Sequence, residues 1–370
     1  MPSRCCSPRH APLARVVALL LVAGCSTTPL AAPPGPGENA GGAATTAPTT
    51  TSTPPRGVSV VTPPGPVTFA FAGDVHFEGV IRQALDTDPA AVMADIAPSL
   101  SAADLAVVNL ETAITERGTP EDKEFTFRAP ATAIDALRAA GVDVASMANN
   151  HGVDFGPEGL EDSLAARDAS GFPLIGIGRN AAEAYAPYRT TVNGQRIAVI
   201  AATDVLDGHL ISSWTATDAR PGLASAKDQD RLVAEVTATR PDADTLVVFL
   251  HWGTEGTTCP NSSQPALARR LVDAGADIVV GSHAHRLQGA GRHGQALVAY
   301  GLGNFTFYSS GGPATQTGVL HVTATGRRID EYAWEPAVIS GGRPRPLAGE
   351  EADAARTAWT ALRDCTDLSP

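Results

Sequence analysis

Apolar and polar positions fall into blocks along this chain, and five short apolar runs each end on a residue that binds metals or moves protons. Residues 69–73 run into Asp74 and His76. Residues 105–108 run into Asn109 and Glu111. Residues 142–148 run into Asn149, Asn150 and His151. Residues 246–250 run into His251, and residues 277–280 into Gly281-Ser-His283-Ala-His285. Each run has the length and β-branched content of a buried strand. Ligands of open α/β sheets bind at the carboxyl ends of the strands. The polar residues are therefore expected to converge on one sheet edge, as a site for two metal ions requires.

The pattern between the runs is that of an α/β fold. Residues 137–151 and 271–283 share one plan: a helix end, a Gly stop at Gly141 or Gly275, a strand and a polar loop. A further helix is expected from Gly156-Pro157, with Leu160 and Leu164 on one face. Residues 188–192, Asn193-Gly194 and 195–200 read as a β-hairpin with a strong turn signal. Short strands are expected at 296–300, 318–323 and 331–334. Together these give two mixed sheets packed face to face with helices outside. Residues 204–227 show no period and are expected to form a loop near the site.

Composition divides the 370 residues into segments. In residues 1–24, Arg4, Arg9 and Arg15 precede an apolar stretch from Val16 to Ala23, the pattern of a secretory leader. It ends at Val22-Ala-Gly-Cys25, which resembles a bacterial lipobox and implies a lipidated Cys25 after cleavage; an ordinary secretory peptide is the alternative. Residues 25–66 hold Cys25 and then a Thr, Pro, Gly and Ala tether that cannot bury a core. As a flexible chain the tether spans about 35 Å. The expectation is a domain held at the outer face of the cell membrane, with residues 67–345 forming the domain and 346–370 a C-terminal helix and tail.

Without residues 1–24 the chain has 24 basic and 39 acidic residues, a net charge of −15. That balance excludes nucleic acid as an expected partner. Two of the cysteines that remain, Cys259 and Cys365, form an even pair in an oxidising compartment. A bridge between them would tie the tail to the loop after His251 and add about 4–5 kcal/mol by chain entropy; two unrelated thiols are the alternative.

The residue types at the strand ends define candidate chemistry. Asp74 and His76 suit one ligand loop, and Glu111 is a carboxylate able to bridge two ions. Asn150 offers a neutral oxygen, and His251, His283 and His285 offer nitrogens. This mixed set suits Mn, Zn or Fe and is poor for Ca or Mg. Two such ions would clamp the oxygens of a displacement reaction, with His151 as general acid. Singly, each residue has a plainer reading as a turn, cap or hydrogen-bonded core residue. Nine histidines are present; His10 lies in the leader, and five of the other eight sit at these strand ends. That clustering favours the ligand reading and leaves His209, His293 and His321 outside it.

The order Gly-Asp-x-His, carboxylate, Asn-His, His, Gly-x-His-x-His resembles the calcineurin-like metallophosphoesterases. Five variants resemble one branch, the CapA family of capsule synthesis proteins. They are Asn109-Leu-Glu111, Met147-Ala-Asn-Asn-His151-Gly-Val-Asp154, His251-Trp-Gly-Thr-Glu255, Gly281-Ser-His-Ala-His285 and Tyr300-Gly-Leu-Gly-Asn-Phe305. The resemblance implies a four-layer αββα sandwich of the metallo-dependent phosphatase type. It places one metal on Asp74, His76, Glu111 and His285, and a second on Glu111, Asn150, His251 and His283. Ordinary phosphoesterases carry Asp where Glu111 stands, whereas His76 keeps their form. Asp154 and Glu255 are candidates to orient ligands; Asp154 is equally suited to cap the helix near 156. Asn304 lines the site or holds a turn.

For function the resemblance implies a surface lipoprotein acting in synthesis, export or trimming of poly-γ-glutamate or a related anionic polymer, beside a membrane polymer synthase. A general extracytoplasmic phosphoesterase and a non-catalytic polymer-binding scaffold are the alternatives.

Overall fold

The computed structural model describes residues 64–370. The leader 1–24, Cys25 and the tether as far as residue 63 lie outside the described residues.

Parallel strands form the centre of each of two sheets. In the first, Val67–Val75, Leu105–Leu110, Val144–Ser146 and Leu174–Ile175 lie side by side in that order. Beyond Val67–Val75 the sheet continues through antiparallel strands Gln316–Thr325, Arg328–Ser340 and Arg343–Pro346. Asn304–Thr306 pairs in parallel with the end of Val67–Val75. In the second sheet, Gln195–Thr203, Thr245–Trp252, Ile278–His283 and Ala296–Ala299 run parallel. Antiparallel strands Tyr188–Val192 and Ala290–His293 form its edges. Both sheets are mixed, as the sequence pattern predicts.

Alternation along the strands sorts their side chains into layers. Phe69, Phe71 and Val107 of the first sheet pack with Val199, Val247, Phe249 and Val280 of the second. Ala70, Ala106 and Val108 face the other way, toward Ile81 and Leu85 of helix Val80–Thr87, Leu137 of Thr132–Ala139 and Leu160 of Gly156–Ser170. Across the second sheet, Ala198, Ile200 and Val248 meet Leu232 of Gln229–Thr239 and Leu271 of Ser263–Ala274. Three apolar interfaces therefore separate four layers, αββα. Strands covered on both faces have no polar side, which is why their sequences read as continuous apolar runs.

The hairpin turns at Asn193-Gly194, where φ is 50° and 79°. Residues 204–227 are not a bare loop. They hold helix Ile211–Trp214 and strand Gly222–Leu223, which pairs with Ile177–Gly178. Elements of four and two residues are too short to show a period in sequence.

Helix Gly349–Ala361 lies against the first sheet, with Trp359 stacked on Trp334 at 5.2 Å between ring centroids. Past it, Cys365 is disulfide-bonded to Cys259, with their Cα atoms 5.7 Å apart. Replacing both cysteines by serine is expected to lower stability by about 2–4 kcal/mol, read as an earlier urea midpoint. An unchanged midpoint would show that the cross-link adds nothing.

Candidate metal centre

A β-bulge aims the first carboxylate. Phe69 and Phe71 point between the sheets, so strict alternation would send Asp74 toward the helices. The register slips between Phe71 and Asp74, and Asp74 ends up opposite Asn109. One extra residue in a strand re-aims the side chains beyond it. Gly73 is needed there because a Cβ would stand 1.8 Å from the Gly303 carbonyl oxygen, which accepts the Asp74 N–H at 2.9 Å. Asn109 Nδ2 then donates to Asp74 Oδ1 at 2.8 Å.

The second sheet supplies the imidazoles. His251 ends Thr245–Trp252 on the same face as Phe249 and lies opposite Ser282, whose Oγ is 3.0 Å from His251 Nδ1. Alternation would turn His283 away from Ser282. Its φ of 94° breaks that alternation, and His285 also has positive φ, 50°. Such backbone in non-glycine residues costs of order 1–3 kcal/mol and persists only where the surroundings enforce it.

Four donor atoms meet at one point. His251 Nε2 lies 2.7 Å from Asn150 Oδ1, 3.1 Å from His283 Nδ1 and 3.3 Å from Glu111 Oε1. One N–H cannot serve three partners. Both oxygens of Glu111 are buried without a hydrogen-bond partner. Glu111, His283 and His285 each offer a ligand atom within 4.8 Å of the others. His285 Nδ1 is 3.3 Å from Asp74 Oδ2. An orphaned buried carboxylate among imidazoles and an amide oxygen is a donor set that fits a divalent transition metal.

Charge follows the same plan. Burial would raise the Asp74 carboxyl, but His285, His251 and Asn109 together hold it at about 2. Burial likewise opposes a charged His285, yet Glu111 and Asp74 push it up to about 10. A cation entering the cluster would displace that proton. His283 is pushed well below the usual imidazole range by burial and by the neighbouring imidazoles.

His151 stands beside this cluster. Its Nδ1 meets Asp154 Oδ2, and its backbone N–H donates to Asn149 Oδ1 at 3.0 Å. Asp154 also accepts from Lys123 Nζ at 2.6 Å and from the Phe127 N–H at 2.7 Å. It does not cap the helix that follows, whose N-terminus has no side-chain cap. Burial lowers His151 to about 3 and raises Asp154 to about 7, the latter against the pull of Lys123. His151 is therefore neutral at physiological pH, with Nδ1 directed at Asp154.

Six of the seven ligand candidates, Asp74, Glu111, Asn150, His251, His283 and His285, lie together. His76 is held by other contacts: Nδ1 accepts from the Glu78 N–H at 3.0 Å, Nε2 accepts from the Tyr308 N–H at 3.3 Å, and Phe307 meets the ring edge-on at 4.1 Å. Asn304 lines the site and holds a turn at once. Its Oδ1 is 2.8 Å from His285 Nδ1, while its Nδ2 donates to Ser309 Oγ and the Ala314 carbonyl. Glu255 is exposed on the loop after Trp252, where its charge reaches His285. The sequence reading gave no role to Asn109, Ser282, Lys123 or Phe127. Asn109 and Ser282 had a signal, since both sit at strand ends; Lys123 and Phe127 had none.

Two mixed sheets in an αββα sandwich, with a histidine and carboxylate cluster at their shared edge, define an α/β protein with a candidate metal centre. The family model for "Bacterial capsule synthesis protein PGA_cap" matches residues 68–309, and the chain belongs to that family. It is 33% identical over 233 residues to "Capsule biosynthesis protein CapA" of Bacillus anthracis, covering 61% of this chain and 55% of that one. It is 29% identical over 242 residues to "PGA biosynthesis protein CapA" of Bacillus subtilis (strain 168), covering 64% and 62%. The chain thus spans little more than half the length of these curated relatives. Among solved structures, a hypothetical protein from Thermus thermophilus aligns with a TM-score of 0.47 at 20% identity, covering 74% of this chain and all of that one.

Replacing Glu111 by Gln removes an unpartnered buried charge. It is expected to stabilise the metal-free protein by about 1–3 kcal/mol and to abolish the rise in unfolding temperature on adding Mn2+. Thermal unfolding with and without the ion checks both. A destabilised metal-free variant, or an undiminished Mn2+ effect, would contradict the role given to Glu111.

Proposed function

We propose that this protein is a CapA-type capsule-polymer protein of the cell surface. In this reading it acts in synthesis, export or trimming of poly-γ-glutamate or a related anionic polymer, as a metal-dependent hydrolase. The observation that carries the reading is the convergence of Asn150, His251 and His283 on the orphaned carboxylate of Glu111. Family membership and the relatives' names support the polymer as substrate. The leader and the lipobox-like Val22-Ala-Gly-Cys25 support a lipid anchor at the outer face of the membrane.

Two ions are proposed. Glu111, Asn150, His251 and His283 would hold one, and Asp74, Glu111 and His285 the other, with Glu111 shared. A bound divalent transition metal supplies Lewis acidity toward a phosphoryl or carbonyl oxygen. The chain's own residues do the rest. Asn109 and the His283 N–H fix Asp74 by hydrogen bonds of 2.8 and 3.2 Å. Asp154 fixes the His151 tautomer, so that Nε2 takes and returns a proton at the reacting group. Burial opposes a lasting charge on His151 and so favours prompt return of that proton. The domain's negative charge would repel a polyanion, so local attraction falls to the cluster and whatever cations it holds. A general extracytoplasmic phosphoesterase is the second reading, favoured by the His151–Asp154 pair.

Protein loaded with Mn2+, Zn2+ or Fe2+ is expected to hydrolyse poly-γ-glutamate or an aryl phosphate, and the two assays separate the readings. His251→Ala should abolish turnover, and His151→Gln should reduce kcat about 10²–10⁴-fold. Absence of turnover on both substrates with all three metals would leave a non-catalytic scaffold role.

A further inference from the structure

The two ends of the Asn304 amide hold different partners. Asn304 is 1% exposed and sits beside Asp74, because Asn304–Thr306 pairs with the end of Val67–Val75. Its Nδ2 lies 2.9 Å from Ser309 Oγ and 3.0 Å from the Ala314 carbonyl oxygen. A carbonyl oxygen can only accept, so the NH2 group faces Ala314. The amide oxygen therefore faces the other way, 2.8 Å from His285 Nδ1.

That oxygen settles the state of one His285 nitrogen. Nδ1 faces two acceptors, Asn304 Oδ1 and, at 3.3 Å, Asp74 Oδ2. Neither an amide oxygen nor an ionised carboxylate can donate, so Nδ1 carries a hydrogen whatever the charge of the ring. The nitrogen that can be bare is Nε2, which lies 4.0 Å from Glu111 Oε1. Nε2 is thus the atom open to an ion at Glu111. A ligating histidine is oriented in this way by the acceptor behind its other nitrogen.

The NH2 end fastens a segment of chain. Ser309 and Ala314 belong to the stretch between Asn304–Thr306 and Gln316–Thr325. Among the described residues, the hydrogen bonds that tie 309–314 to the body of the domain are the two that Asn304 donates. A Cβ built on Gly311 or Gly312 would meet nothing within 4 Å, so the tip of the stretch is open. Its root lies against the cluster. Phe307 packs 4.8 Å from His285, and Tyr308, 41% exposed, rests its ring 4.5 Å from His76.

We infer that Asn304 is a positioning residue that couples the ion position at Glu111 and His285 to this strap, residues 307–315. Its oxygen holds the Nδ1 hydrogen of His285 and so presents Nε2 toward Glu111. Its NH2 group fastens the strap that borders the same position. Whatever fixes the His285 ring also fixes the amide, and with it the strap. This rests on the reading of the cluster as a two-ion site.

The test is a calorimetric Mn2+ titration with elemental analysis, together with backbone hydrogen exchange of residues 307–315 with and without Mn2+. The unaltered protein is expected to bind two ions, and Mn2+ to slow exchange in the strap about tenfold. Asn304→Ala should weaken one ion about 10–100-fold, the scale for losing the partner behind a ligating histidine, and should lose the Mn2+ effect on exchange. Asn304→Asp keeps an acceptor for Nδ1 but cannot donate to the Ala314 carbonyl. It should still bind two ions, with a strap that exchanges fast whether or not Mn2+ is present; an asparagine that only holds a turn would not separate the two readouts. Ser309→Ala removes a strap contact alone, and should keep both ions with a smaller Mn2+ effect, so the coupling stays testable if Asn304→Ala does not fold. Two ions bound by Asn304→Ala at unaltered affinity overturn the role at His285. Strap exchange that ignores Mn2+ in the unaltered protein, or a full Mn2+ effect in Asn304→Asp, overturns the coupling. These results leave the metal site standing, whereas failure of the unaltered protein to bind Mn2+ refutes that site and the coupling with it.

Discussion

The structure turns on two carboxylates, Asp74 and Glu111, buried completely between two sheets among three imidazoles. An uncompensated buried charge costs several kcal/mol. Asp74 is compensated by Asn109, by the His283 N–H and by a protonated His285; the Glu111 carboxylate faces His251 and His285 but accepts no hydrogen bond. Three local departures from regular geometry serve this cluster. The bulge before Asp74 turns that carboxylate inward. The glycine at 73 lets the Gly303 carbonyl approach. The positive φ of His283 and His285 returns two imidazoles to a face they would otherwise leave. Local strain at one edge of an otherwise regular sandwich is the sign of a site whose geometry outweighs its contribution to folding.

The donors are divided between the sheets by element. Asp74, Glu111 and Asn150, the oxygen donors, come from the first sheet; His251, His283 and His285, the nitrogen donors, come from the second. Packed sheets stand about 10 Å apart. The spacing of oxygen from nitrogen donors is therefore set by what fills the gap: Phe69, Phe71, Val107, Val247, Phe249 and Val280. Their volumes determine whether the four-atom convergence at Glu111 closes. Parallel strands buried on both faces suit this task, because neither sheet can shift without disturbing an interface on each side.

Much of this was legible in the sequence. The five runs, the hairpin at Asn193-Gly194 and the helix at Gly156-Pro157 follow from local pattern, and the site lies at the strand ends because chain direction places it there. What escaped the pattern was non-local or very short. Strand Arg328–Ser340 is far longer than the expected segment 331–334, since exposed and buried positions are mixed along it and polar residues interrupt its apolar pattern. The elements within 204–227 have two and four residues. Lys123 and Phe127 sit in a segment with no period, and their roles arise from partners 24 to 51 positions away along the chain. His76 shows the limit of motif spacing. Two positions from Asp74 it suits a ligand loop, but the Glu78 and Tyr308 N–H groups face its two nitrogens, and spacing cannot reveal that.

The orientation of His151 and the placement of Asn150 are linked through one segment. His151 is held by Asp154 at Nδ1, by Asn149 at its backbone and by Phe127 across its ring face. Asp154 is held by Lys123 and by the Phe127 N–H, and Lys123 also reaches the Asn150 carbonyl and lies 5.1 Å from the Trp214 ring centroid. The residue that packs on the imidazole thus also donates to the carboxylate that orients it. A displacement of Phe127 by a bound group would act on the ring and on the Asp154 hydrogen bond together. Phe127 and His151 are one mechanical unit, anchored by the buried Lys123–Asp154 pair to the loop that carries Asn150.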